Sequence, residues 1–217
     1  MRKSTTNLQS IAEKVRASFS AKDAAREQAL RLAREVIRDS SNAIRAVHRG
    51  EYEDAKTLLS ATRIRVSEMN EVLSRYPDLL HSGFVHDSQK EYAEAKITLA
   101  LVTGDALPDP DELSISYASY LNGLGEAVGE LRRHLLDIIR KGEFSRCEEI
   151  LLAMDDIYGV LVTIDFPDAI TSGLRRTTDV VRGIMEKTRG DLTISIKQKD
   201  LEERLKEFEE RLRRGAL

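Results

Sequence analysis

SYASYLNGLGEAVGELRRHLLDII, residues 116–139, sets Leu121, Leu124, Val128 and Leu131 at the alternating three- and four-residue spacing of one helix face, with Glu126 and Glu130 between them. The period of two that a half-buried strand needs is absent, so the stretch predicts a long amphipathic helix. Gly123, Gly125 and Gly129 fall within seven positions of it. Each weakens a helix by about 1 kcal/mol relative to alanine, so three together predict close helix packing or room for a ligand. Upstream, HDSQKEYAEAKITLALVTG (86–104) is a second helical stretch, mostly apolar, in which Asp87, Glu91 and Glu94 recur at i, i+4 and i+7 and project from one face.

Outward from these two helices the same period continues. The chain has four prolines, Pro77, Pro108, Pro110 and Pro167, and the longest strand-like run is the short LTISI at 192–196. The expected fold class is all-α. Turn signals at Arg49-Gly50, Tyr76-Pro77 to Gly83, Gly104 to Asp111, Lys141-Gly142, Asp165 to Pro167 and Arg189-Gly190 divide it into roughly seven helices. The expected spans are about 5–49 with room for a break near 20, 51–75, 86–103, 112–141, 143–163, 168–189 and 198–214. Short connections predict antiparallel packing in one domain over 1–217. In the segment 198–214, Leu201, Leu205, Phe208 and Leu212 at helical spacing among alternating charges predict an amphipathic helix that docks on the bundle or on a neighbour.

Of 217 residues, 41% are hydrophobic and 33% charged, a globular composition rather than a disordered one. A single cysteine, Cys147, excludes an internal disulfide and a Cys-based zinc site and points to a reducing, cytoplasmic setting. The start MRKSTTNLQS lacks an apolar core for a signal peptide, and no run approaches the ~18 apolar residues of a membrane span. Gly123-x-Gly125-x-x-x-Gly129 is not a dinucleotide loop, because it follows a helix-forming segment instead of a strand and its third glycine is misplaced. The four histidines lack the spacing of a zinc protease.

The net charge of −3 hides local patterning. At about 100° per residue, Arg31, Arg34, Arg38, Arg45 and Arg49 share a sector of roughly 60°, away from Leu30, Ala33, Ile37, Ile44 and Val47. Five permanently charged guanidiniums in a line suit a phosphodiester backbone, and equally suit an ordinary solvated face eased by Glu35 and Asp39. The two acidic helices carry the same pair of readings. Glu91, Glu94 and Glu126, facing one another, would repel unless protons or a hard divalent cation intervened. Mg²⁺ or Mn²⁺ there would serve phosphoryl chemistry. Alternatively the acids pair with Lys90, Lys96, Arg132 and Arg133 as helix-surface charges. His86, just ahead of the acidic helix, suits phosphate contact or proton transfer as well as capping.

The order of several segments resembles the translin family, whose members are translin and its partner Trax. The resemblance runs over roughly residues 8–196 and rests on Ala33-Arg34-Glu35-Val36, Val47-His48-Arg49-Gly50, Lys90-Glu91-Tyr92-Ala93-Glu94-Ala95 and Tyr120-Leu121-Asn122-Gly123-Leu124-Gly125-Glu126-Ala127-Val128-Gly129-Glu130-Leu131, with Gly142-Glu143-Phe144 and Arg189-Gly190 further along. It implies a helical chain that assembles into a hollow octameric barrel and encloses RNA or single-stranded DNA, with first-helix arginines facing the cavity. In Trax an E-x-x-E pair and a third carboxylate support Mg²⁺-dependent endoribonuclease activity. The resemblance carries that pair to Glu91 and Glu94, where translin has non-acidic residues, and the third carboxylate to Glu126, an aspartate in Trax. Glu130 matches a glutamate of both branches, as a fourth ligand or a structural partner. The Trax insertion between the acidic helices is largely missing, which implies one compact chain serving as both binding and catalytic subunit of a homo-oligomer. Arg34, Arg38, Arg45, His86, Lys90, Arg132 and Arg133 are the expected phosphate contacts. A non-catalytic, translin-like RNA or single-stranded DNA binder is the alternative, and a purely structural helical module the third reading.

Overall fold

The computed structural model describes residues 7–215. Among them are nine helices and no strand: α1 (Leu8–Arg49), α2 (Tyr52–Leu73), α3 (Pro77–Leu80), α4 (Gly83–Thr103), α5 (Pro110–Leu113), α6 (Tyr117–Arg140), α7 (Cys147–Thr163), α8 (Asp168–Thr171) and α9 (Leu174–Gly215). The all-α expectation holds. Residues 5 and 6 of the expected first helix lie outside the described residues, and that helix runs unbroken past residue 20.

Local chemistry sets most boundaries. Gly50 and Gly104 end α1 and α4 in the left-handed region, at φ 78° and 80°, and their N–H groups return to carbonyls of the last turn. The Ser116 side chain accepts the Ser119 N–H and starts α6.

Some expected boundaries are corrected. The helix expected over about 112–141 is two elements, because Ser114 takes φ 57° and closes the one-turn α5 before Ser116 caps α6. The helix expected over about 168–189 is broken early, because Ser172 at φ 53° and Gly173 at φ 84° close the one-turn α8; its remainder from Leu174 and the separate helix expected over about 198–214 are one 42-residue helix, α9, running through Gly190 and LTISI. Tertiary contacts override the local preference there: Leu192 is buried, and Arg132 of α6 grips Thr188 and Asp191 on either side of Gly190.

The helices pack in the order α2, α1, α4, α6, with α7 and α9 closing the far side of α6 and also touching each other. The main core contains Val36, Leu59, Tyr92, Ile97, Val128, Leu131, Leu135, Met154 and Leu161. A smaller cluster of Leu32, Met69, Leu73 and Val85 sits between α1, α2 and the start of α4. Each buried leucine contributes about 1.5–3 kcal/mol by leaving water. Beyond this core, α1 and α9 extend as arms. Leu8, Ile11, Val15 and Phe19 are exposed on the first, and every residue from 197 to 214 is exposed on the second.

Candidate metal centre

Gly123 determines how close the two acidic helices come. A Cβ at that position would lie 2.7 Å from both the Ala93 Cβ and the Lys90 carbonyl oxygen and 3.0 Å from the Glu94 amide nitrogen. The α6 backbone therefore rests on the α4 backbone within the Lys90–Glu94 turn. One turn further along α6, this brings Glu126 to Glu91 and Glu94. One carboxylate oxygen from each of the three lies within 4.8 Å of the others. Gly125 serves the neighbouring contact, since a Cβ there would meet the Thr177 methyl of α9 at 2.4 Å.

The electrostatics of the cluster follow from crowding and burial. Glu94 is almost fully buried, and its carboxyl is pushed up to about 8, first by burial and then by the charges of Glu126, Glu91 and Glu130, against an opposing pull from Lys90. Glu91 is raised as well, mainly by burial. Lys90 Nζ donates to Glu126 Oε1 at 2.7 Å and stands 3.9 Å from Glu91 Oε1. Burial opposes the charged form of Lys90, but the bond to Glu126 and the surrounding acids outweigh it, and its titration is raised. One lysine among three carboxylates leaves an excess of negative charge that a proton or a cation satisfies. An all-oxygen donor set fits Mg²⁺ or Mn²⁺.

Glu130 has a different partner. Its Oε2 lies 2.5 Å from His48 Nε2 on α1 and 3.7 Å from Arg133 Nη1. The His48 bond, more than any other influence, holds its carboxyl below the usual range. Glu130 is thus outside the three-carboxylate group, although its charge reaches Glu94.

The cluster opens into a cleft of about 680 Å³ whose walls include His86, Lys90, Glu94 and Glu126, together with Ser172, Gly173 and Arg176. His86 and Ser172 also border a second cleft of about 690 Å³ that runs toward Tyr117. The His86 ring is mostly buried, with Nδ1 3.7 Å from Asp87 and no hydrogen-bond partner on Nε2.

The expected basic residues separate into groups. Arg34, Arg38 and Arg45 are exposed on α1, as the wheel predicts, with Arg38 paired to Asp39. Lys90 and His86 line the cleft. Arg133 is exposed beside Glu130. Arg132 is occupied as a clamp between α6 and α9, donating to Thr188 Oγ1 at 3.0 Å and Asp191 Oδ2 at 2.7 Å. Arg176 was not legible as a site residue. It reaches the cleft from the first turns of α9 and makes no ion pair among the described residues, and the only local signal is a basic pair following the Ser172-Gly173 turn.

A bundle of long helices that gathers three acidic side chains from two neighbours beneath a cleft edged by cationic side chains defines an all-α protein with a carboxylate cluster that could hold a cation. No family model matches the chain. Solved structures do. AfC3PO, an Archaeoglobus protein, is 32% identical, with a TM-score of 0.79 over 85% of this chain and 96% of that one. The structure of AfC3PO with duplex RNA gives a TM-score of 0.75 over 85% and 95% at the same identity. The Nitrosomonas apo-NeC3PO, at 21% identity, has the same fold with a TM-score of 0.71 over 88% and 97%. An uncharacterized protein of Methanocaldococcus jannaschii is 32% identical over 187 residues, 85% of this chain and 82% of that protein. The chain belongs to the C3PO, or translin/Trax, family. Among the described residues, no helix is long and apolar enough to cross a membrane.

Proposed function

We propose that this protein is a Trax-type endoribonuclease that binds short RNA and cleaves it with Mg²⁺ or Mn²⁺ in a homo-oligomeric shell, an octamer on the family's plan. The observation that carries the reading is the convergence of Glu91, Glu94 and Glu126 within 4.8 Å at a glycine-enabled helix contact. The similarity to a protein solved with duplex RNA supports the choice of substrate class.

The residues divide the work. Glu91, Glu94 and Glu126 would hold the cation. A Mg²⁺ or Mn²⁺ ion held by them would supply Lewis acidity toward a phosphoryl oxygen and an acidified water. Lys90, fixed to Glu126, keeps a positive charge at the rim, where a phosphodiester gathers negative charge during cleavage. Arg176 lines the same cleft, makes no ion pair among the described residues, and is the candidate to meet the adjoining phosphate. His86 lines both clefts and is the candidate to donate to a phosphate oxygen or to the leaving group. Arg34, Arg38 and Arg45 provide sequence-independent backbone attraction. Arg132 and Glu130 support the site through the α6–α9 and α1–α6 contacts.

The Lys90–Glu126 pair also favours a second reading, a non-catalytic RNA or single-stranded DNA binder in which the acids are neutralised by protons and lysine. A gel assay with labelled single-stranded and duplex RNA in Mg²⁺, Mn²⁺ or EDTA separates the two. Metal-dependent cleavage leaving 3′-hydroxyl ends, lost in Glu91→Gln while RNA affinity persists, is the expected result. A 2′,3′-cyclic phosphate product would instead mean attack by the ribose hydroxyl. Salt-sensitive binding without cleavage in either metal would establish the binder.

A further inference from the structure

The exposed end of α9 has a pattern that its own bundle does not use. Ile194, Gln198, Leu201, Leu205, Phe208 and Leu212 follow one another at spacings of four, three, four, three and four, the heptad seam of a coiled coil. The five apolar members are all more than half exposed. At about 100° per residue they occupy a stripe roughly 80° wide. The opposite side of the helix faces the bundle: Leu192 is buried there, Ile196 packs against the core, and Lys199 Nζ lies 4.8 Å over the Phe144 ring. A continuous helix cannot turn the seam onto the domain from which it projects.

The charges beside the seam identify its occupant. On one flank stand Lys197, Arg204 and Arg211, and on the other Glu202 and Glu209. None of these five makes an ion pair among the described residues, whereas the face opposite the seam pairs within the helix, as Lys199 with Glu203 and Arg214 with Glu210. In a parallel, in-register pair, each flanking residue before a seam position meets the partner's residue five places on. Lys197 then meets Glu202 of the second copy, and Arg204 meets Glu209. An antiparallel pair would set arginine against arginine and glutamate against glutamate. We propose that residues 194–212 form a parallel, in-register, two-stranded coiled coil with the same segment of a second copy of this chain.

The arm lies beyond residue 196, where the sequence resemblance to the translin family ends, so this contact is additional to the family's shell. Fewer than three heptads hold weakly in isolation, and attachment to assembled domains supplies the effective concentration. Gln198, the polar member of the seam, favours a matched register with its counterpart. The inference does not depend on RNA cleavage.

The test is disulfide trapping in the full-length protein carrying Leu205→Cys. Parallel in-register pairing sets this position against itself, while the native Cys147 is buried. Mild oxidation is expected to give a covalent dimer that the unsubstituted protein does not give. Adding Arg204→Glu is expected to cut its yield about tenfold, and adding Glu209→Arg as well to restore it. Because the arm is solvent-exposed, a thermal melt of each variant should match the parent. No trapped dimer, which is the result an antiparallel pair would give, or a yield indifferent to charge reversal would each overturn the proposal.

Discussion

His48 Nε2 and Glu130 Oε2 lie 2.5 Å apart and fasten the last turn of α1 to the middle of α6. The His48 side chain is 5% exposed, so replacing it by alanine leaves a half-buried carboxylate without its donor. His48→Ala is expected to destabilise the fold by about 2 kcal/mol near pH 7 in urea unfolding. Glu130 titrates below its unfolded value, so the stability it gains from the contact is present above that value and lost as pH falls through the folded one. The gap between parent and variant should therefore shrink in acid. An undiminished gap would assign the loss to packing alone.

Glu94 shows the opposite linkage. Folding raises its carboxyl from 4.5 to about 8, so the folded, metal-free protein holds a proton that the unfolded chain releases. Stability in EDTA should fall as pH rises between these values. Glu94→Gln removes the cost of ionisation, and its melting temperature should exceed the parent's above about pH 8 while the two converge near pH 5. Cation affinity of the parent should climb over the same window, with proton release visible by calorimetry. A variant equally destabilised at both pH values would contradict this account.

Two glycines on one helix should respond in opposite ways. Gly123→Ala forces the α4 and α6 backbones apart, and is expected to abolish metal-dependent cleavage and lower stability by several kcal/mol, on the order seen for overpacking. At Gly129 the nearest atom to a new Cβ is Ile184 Cδ1, at an ordinary 3.9 Å. Gly129→Ala should leave activity intact and stabilise the helix by about 0.5–1 kcal/mol. Melting curves alongside the cleavage assay check both.

Arg176 and Arg132 should separate binding from stability. Arg176→Gln is expected to leave the melting temperature unchanged, weaken RNA binding, and reduce the slope of log affinity against log salt by about one. Arg132→Gln breaks the bonds to Thr188 and Asp191 and should cost about 1–3 kcal/mol of stability. Its RNA affinity should hold at temperatures where it is folded. Fluorescence anisotropy over a salt series distinguishes the two.

The sequence was informative wherever the cause was local. The long helices follow from apolar spacing between glycine and proline signals, and the exposed arginines of α1 follow from the wheel alone. Ser114 in the left-handed region was hidden because a serine there has no compositional signature. The continuity of α9 was hidden because Arg132, more than fifty residues away, helps hold the helix across Gly190. In the site, Glu91 and Glu94 were legible as one face of one helix, and Glu126 as one face of another. That Glu130 would turn to His48, and that α9 would bring Arg176 to the cleft, depends on how helices cross, which no single-helix pattern records.

The 42 residues of α9 make one rod of about 63 Å at 1.5 Å per residue. Its first turns border the carboxylate cleft and its far end carries the unpaired seam, so helical geometry fixes both the distance and the azimuth between them. A single residue inserted after Leu192 would swing everything beyond it by about 100° about the axis, whereas seven would lengthen the rod and restore the original bearing. The helix is therefore both ruler and compass, setting where the cleft of one chain stands relative to any molecule engaged at the other end.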